Sequence, residues 1–141
     1  MNAIILCGGL PTRFGEILKA TPKILLDIRG KTVLEWQLDK LRKVGITEVV
    51  LAAGNLANIL IQTVGLRQDG IDITYSIEQE KLGTGGAIKH AWEYIPHQDE
   101  PTAVLYGNIF TAVDLADMAR YLSPVSDGII LGVKATDAAT Y

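Results

Sequence analysis

The chain alternates between two kinds of segment, and that alternation limits its possible folds more than any other feature. Residues 3–7, 48–53, 71–77, 103–106 and 128–133 are short runs rich in Ile, Val, Leu and Ala, and most end against Gly or Asn. The runs at residues 3–7 and 49–53 are apolar without a break, which suits strands covered on both faces. The segments between the runs read as helices. Leu34, Leu38 and Leu41 recur on one helical face, predicting a helix over residues 33–44. Thr32 with Glu35 fits a capping box at its start, and Gly45 fits the cap at its end. Further helices are predicted over residues 57–64, 84–94 and 114–122, the last with Asp114 as N-cap. Strands alternating with helices imply βαβ units, a mostly parallel sheet and right-handed crossovers. In such sheets ligands bind beyond the carboxyl ends of the strands. Residues 8–23, 54–58, 78–86 and 107–114 are therefore the segments to read for chemistry.

Composition narrows the class. A chain of 141 residues corresponds to one domain, residues 1–141, large enough to bury a core. With 48% hydrophobic and 21% charged residues it does not have the composition of a disordered chain. A net charge of -3 argues against a nucleic-acid binder that works by neutralising phosphates. No apolar run approaches the ~20 residues of a bilayer span. The first residues lack a basic stretch ahead of the apolar run, so no signal peptide is expected. Cys7, the single cysteine, has no disulfide partner within the chain and reads as a small hydrophobe at a strand end. The expectation is a cytoplasmic protein with neither membrane nor nucleic acid as partner.

Three segments carry residues suited to a phosphorylated ligand. Gly8-Gly9-Leu10-Pro11-Thr12-Arg13 follows the first run, where glycines allow backbone N–H groups close to a phosphate and an arginine can add a bidentate contact. Its spacing is neither G-x-G-x-x-G nor a Walker A loop. A tight turn with surface charges at Arg13 and Lys23 reads equally well. Leu82-Gly83-Thr84-Gly85-Gly86 opens the third helix, giving either a close approach for a flat or anionic group or a glycine-rich N-cap. Gly107-Asn108 ends the fourth run, where an acidic residue would suit a metal; Asn108 coordinates weakly and also suits an Asx-turn.

Together these segments resemble the sugar-1-phosphate nucleotidyltransferases, the nucleotide-diphosphate-sugar pyrophosphorylases. The resemblance rests on residues 6–13, on Pro22-Lys23-Ile24-Leu25, on Gly30-Lys31-Thr32-Val33-Leu34-Glu35, on residues 80–88 and on Tyr106-Gly107-Asn108 with Asp114-Leu115. Residues 80–88 look most like the mannose- and heptose-1-phosphate guanylyltransferase branch. The resemblance implies an α/β fold: a three-layer, Rossmann-like, mostly parallel sheet of the nucleotide-diphospho-sugar transferase type. It implies transfer of a nucleotidyl group from a nucleoside triphosphate (GTP, or UTP or dTTP) to a sugar-1-phosphate, with release of pyrophosphate. Arg13 and Lys23 match the catalytic cations. Leu6, Cys7, Gly8, Gly9 and Thr12 match the loop holding nucleoside and phosphates, and Gln79, Gly83 and Thr84 match the region that reads the base. Asn108 stands where the family carries its aspartate for Mg2+, the implied cofactor.

Two residues depart from the family pattern. Pro11 replaces a loop glycine, removing an N–H donor and fixing φ. Asn108 removes a full negative charge. The resemblance also implies that the family's sugar-binding half and second metal aspartate lie beyond residue 141. Activity of this short form is therefore expected to be impaired, and the alternative is a non-catalytic nucleotide-binding or regulatory module that assembles with a full-length relative. A dinucleotide-binding fold using Asp27 is disfavoured by the glycine spacing. The uncharged run at residues 128–133 reads as an exposed sheet edge, predicting a homo-oligomer with residues 128–141 at the contact.

Overall fold

The computed structural model describes residues 1–8, 21–123, 125 and 127–132. Its centre is a five-stranded sheet. In chain order the first described strand is β1 (Asn2–Leu6), and a 3-10 turn (Lys23–Leu25) precedes the hairpin that follows. A small hairpin, β2 (Asp27–Ile28) with β3 (Lys31–Thr32), leads into α1 (Val33–Lys43). Then come β4 (Glu48–Ala53), α2 (Ala57–Val64), β5 (Arg67–Gln68), β6 (Ile71–Ile77), α3 (Gly83–Trp92), β7 (Thr102–Tyr106) and α4 (Leu115–Ala119).

The strand order is β5-β6-β4-β1-β7. β1 runs parallel to both β4 and β7, and β4 parallel to β6. The short β5 alone is antiparallel, with β6. The chain thus moves outward from β1 through β4 to β6, then returns to the opposite side of β1 as β7. That reversal is the switch point at which α/β sheets bind ligands.

Residue alternation along the strands builds both cores. Ala3 and Ile5 of β1, with Val49, Leu51 and Ala53 of β4, face Leu34, Leu38 and Leu41 of α1 and Ala57 and Leu60 of α2. Ile4 and Leu6, with Val50 and Ala52, face Ala87 and Ala91 of α3. A strand buried on both faces has no room for polar alternation, which is why these runs are uniformly apolar. The sheet therefore lies between helices on its two faces, as expected of a three-layer α/β fold.

The ends of α1 follow from the sequence. The Glu35 N–H donates to Thr32 Oγ1 at 3.2 Å, and the Thr32 N–H donates back to Glu35 Oε2 at 2.6 Å, closing the capping box. At the other end Gly45 takes φ +79°. Its N–H donates to the Arg42 carbonyl, and the Ile46 N–H donates to the Leu41 carbonyl, a Schellman cap.

Two expectations need correction. Residues 128–132 form no strand. Ile130 is 95% and Leu131 50% exposed, and among the described residues β7 is hydrogen-bonded only to β1 and this apolar run has no ladder to join. Val133 and residues 134–141 lie outside the described residues. The fourth helix begins as expected, with the Asp114 carboxylate accepting from the Ala116 and Asp117 N–H groups, but it ends at Ala119 rather than 122. No helix among the described residues is long and apolar enough to cross a membrane.

Candidate active site

A cleft of about 320 Å³ opens at the carboxyl end of the sheet. All four segments singled out for chemistry reach it. The end of β1 contributes Leu6, Cys7 and Gly8, and the 3-10 turn contributes Pro22 and Lys23. Asn55 and Leu56 come from the turn after β4; Glu78, Lys81, Gly83 and Thr84 lie between β6 and α3; Tyr106, Gly107 and Asn108 follow β7.

Local structure explains each placement. Ile24 is 1% exposed and anchors the 3-10 turn in the α1 core, which holds neighbouring Lys23 on the cleft wall. Leu56 adopts φ +63°, a left-handed conformation costly for a leucine, at the residue preceding α2. Gly83 adopts φ +70°, which lets the chain turn sharply into α3. Leu82, the N-cap of α3, has no side chain able to cap the helix, and Gly83 and Thr84 of the first turn line the cleft. Gly107 is required by close approach: a Cβ there would stand 2.8 Å from the Leu6 carbonyl oxygen.

Backbone donors at the end of β1 are already committed. The Cys7 and Gly8 N–H groups both donate to the Ala52 carbonyl, at 2.8 and 3.0 Å. Leu6, Cys7 and Gly8 thus form a fixed cleft wall, and any phosphate donors of this loop would have to come from later residues. The Cys7 thiol points back to the Ile5 carbonyl at 3.3 Å, and burial pushes its pKa well up, so it is a structural thiol.

Gly9, Thr12 and Arg13, and Pro11 between them, lie outside the described residues. Gln79 is exposed and does not line the cleft. The preceding residue, Glu78, does. Its Oε1 is 3.6 Å from where a Gly8 Cβ would be, and its Oε2 accepts from the Leu82 N–H at 3.3 Å. The sequence signal for Glu78 was its position as the first residue after a strand. Asn55, Leu56, Lys81 and Tyr106 carried no residue-type signal of their own.

For the implied Mg2+, the test is the donor set. Among the described residues no group of three or more His, Cys, Asp or Glu side chains comes together to hold a metal ion. The cleft offers the neutral amide of Asn108 and the single carboxylate of Glu78. Mg2+ prefers one or two carboxylates together with substrate phosphates. The described residues alone do not fit a magnesium site at the Asn108 position, and no step below is routed through the metal.

A mostly parallel sheet with helices on both faces and a cleft at its switch point defines a doubly wound α/β fold. Residues 2–141 match the family model described as nucleotidyl transferase, and the chain belongs to that family. It is 42% identical over 118 residues to a D-glycero-alpha-D-manno-heptose 1-phosphate guanylyltransferase of Campylobacter jejuni, covering 84% of this chain and 52% of that protein. It is 28% identical over 144 residues to a mannose-1-phosphate guanyltransferase of Candida albicans, covering 100% of this chain and 40% of that one. Among solved structures it is similar to HddC from Yersinia pseudotuberculosis complexed with GMP-PN, with a TM-score of 0.69 at 30% identity over 84% of this chain and 52% of that one. The chain spans about half the length of the relatives it matches.

Proposed function

We propose that this chain binds a guanine nucleoside triphosphate in the cleft and supplies the nucleotide half of a sugar-1-phosphate guanylyltransferase. The observation that carries the reading is the convergence of four post-strand segments, with Lys23 and the amino end of α3, on one cleft at the sheet's switch point. In the reaction an oxygen of the sugar-1-phosphate attacks the α-phosphorus in line. A new P–O bond forms as the bond to the bridging oxygen of the β-phosphate breaks, and pyrophosphate leaves with that oxygen. Catalysis of this kind is mostly positioning and charge stabilisation. Lys23 offers its ammonium to the α- and sugar phosphates. Gly83 and Thr84, at the start of α3, offer a flat approach for the base. Arg13, with Gly9 and Thr12, takes the triphosphate, as the family resemblance implies.

Glu78 favours guanine. Its carboxylate is an acceptor only, and guanine presents two adjacent donors, N1–H and the exocyclic amine. Uracil and thymine present one N–H between two carbonyls, and adenine N1 is itself an acceptor. The guanylyltransferase names of the relatives support the same choice. Pyrophosphate release from GTP with mannose- or heptose-1-phosphate tests the reaction. We expect turnover below the ~1 per second of an ordinary enzyme, because Pro11 and Asn108 depart from the family pattern. A rate at or above that value contradicts the impairment. Asn108 also favours a second reading, a nucleotide-binding module that assembles with a full-length relative; GTP binding with no pyrophosphate release would select it. In either reading we propose a homo-oligomer, motivated by the exposed apolar side chains Val104 and Tyr106 on the β7 edge. A monomer by light scattering at micromolar concentration would refute that assembly.

A further inference from the structure

Gln37 is a buried polar residue on α1, 6% exposed, and it belongs to neither the cleft nor the capping network. Its side-chain amide reaches across to the segment after β7. Nε2 donates to the Tyr106 carbonyl at 2.9 Å and to the Ile109 carbonyl at 3.2 Å. These two carbonyls bracket Gly107 and Asn108. Oε1 of the same amide is buried without a partner. Turning the amide over would relieve nothing, because it would set Oε1 against two carbonyl oxygens and give up both bonds. The molecule therefore accepts an unsatisfied buried acceptor in order to hold the two donors on this turn.

The turn is clamped from its other side as well. The Gly107 N–H donates to the Leu6 carbonyl at 2.9 Å, and a glycine is needed there because a Cβ would stand 2.8 Å from that oxygen. Two neighbours of Gln37 on α1 grip the next residues. Lys40 Nζ donates to the Thr111 carbonyl at 3.0 Å, and the Trp36 and Phe110 rings meet edge to face at 6.1 Å. The helix that follows β1 thus sets the conformation of the segment that follows β7, across the switch point.

We propose that Gln37 is a positioning residue: its amide fixes the Gly107–Asn108 turn so that Asn108 stays on the cleft wall for the bound nucleotide. The proposal rests on the nucleotide-binding reading above. It assigns Gln37 no contact with the ligand; its effect passes through Asn108.

The test uses Gln37→Leu, with Gln37→Met as a second variant of similar length, in the full chain. Amide exchange is read first, without ligand. Exchange at the Ile109 N–H, which closes the turn on the Tyr106 carbonyl, should rise about tenfold while Leu51 in the core stays unchanged. GTP affinity by calorimetry should fall about tenfold for two lost hydrogen bonds, with melting temperature nearly unchanged because the apolar side chain also removes the unsatisfied Oε1 and buries more apolar surface. In an Asn108→Ala background the same substitution should cost little more, since both act through one group. Unchanged exchange at Ile109, unchanged affinity, or fully additive losses with Asn108→Ala would each overturn the proposal. So would unfolding of both variants, which would make the amide a requirement of the fold. If the unsubstituted chain binds no GTP, the nucleotide reading fails, and the exchange measurement alone still decides whether Gln37 braces the turn.

Discussion

The two faces of the sheet are built differently. On one, bulky side chains dominate: Leu34, Leu38 and Leu41 of α1 and Leu60 of α2 close over Ile5, Val49, Leu51 and Ile73. On the other, α3 buries Ala87 and Ala91 against Ile4, Leu6, Val50 and Ala52, with Ile95 buried and Ile88 and Trp92 partly buried beside them. α1 is closed at both ends by backbone and side-chain caps, whereas the amino end of α3 is glycine-rich and its N-cap residue, Leu82, offers no capping side chain. The first face is sealed. The second is less completely buried, and its glycine-rich end opens on the cleft. Both faces reach the cleft, through Ile24 of the first core and Leu6, Ala52 and Ala87 of the second.

The largest expected effect lies on the sealed face. Leu41→Ala should lower the unfolding free energy by about 3 kcal/mol. Ala91→Gly on the second face should cost only about 1 kcal/mol. Urea denaturation of both variants checks the pair, and a larger loss at Ala91 would break the comparison.

Next comes the point where the turn after β7 meets β1. Gly107→Ala drives a methyl carbon to 2.8 Å from the Leu6 carbonyl oxygen and 3.1 Å from Ile24 Cδ1. A destabilisation of about 2 kcal/mol is expected from this overpacking, accompanied by weaker GTP binding because both neighbours border the cleft. A variant as stable as the parent would mean that the turn has room to move.

Asn108→Asp sharpens the account of the cleft. A carboxylate supplies the charge that hard cations prefer. GTP affinity should become more dependent on Mg2+, by roughly tenfold, the scale on which groups beside a metal alter its binding. Calorimetry with and without Mg2+ reads this directly. An unchanged dependence would mean that Asn108 does not occupy the metal position.

The smallest effect is at the α1 cap. Thr32→Ala should cost about 1 kcal/mol and leave the cleft untouched. Hydrogen bonds from Thr32 hold the Glu35 carboxyl below its ordinary pKa. A carboxyl lowered in the folded state adds stability above its unfolded value, and that stability is lost as pH falls through the folded value. The difference between parent and variant should therefore narrow below about pH 4; a constant difference down to pH 2 would contradict the capping role of Glu35.

The sheet was legible in the sequence wherever a strand is buried on both faces, because such a strand must be apolar throughout. Residues 48–53 match β4 residue for residue; residues 71–77 also match β6, which alternates instead, with Ile71 and Ile73 buried and Asp72 and Thr74 exposed. The pieces that escaped are short and polar. β2, β3 and β5 are two residues each, too few to display any period. Their turns did leave a trace: Arg29-Gly30 and Asp69-Gly70 have positive φ at both residues, the geometry of tight hairpins. At residues 128–132 the reverse holds, since apolar composition alone cannot make a strand without a neighbour. The same distinction applies to the cleft. Its four segments were readable because each follows a strand. The particular roles of Leu56 and Gln37 were not, because they come from the strand order and from contacts between residues far apart in sequence.

The proposed function stands or falls on whether the cleft at the carboxyl end of the sheet takes a guanine nucleoside triphosphate. An amide NMR titration with GTP, and separately with UTP, tests it most directly. The account predicts that GTP shifts concentrate on Gly8, Lys23, Glu78, Gly83, Thr84 and Asn108, and that GTP saturates at lower concentration than UTP. Shifts scattered away from those residues, or no saturation by GTP at about 1 mM, a binding free energy near -4 kcal/mol, would contradict it.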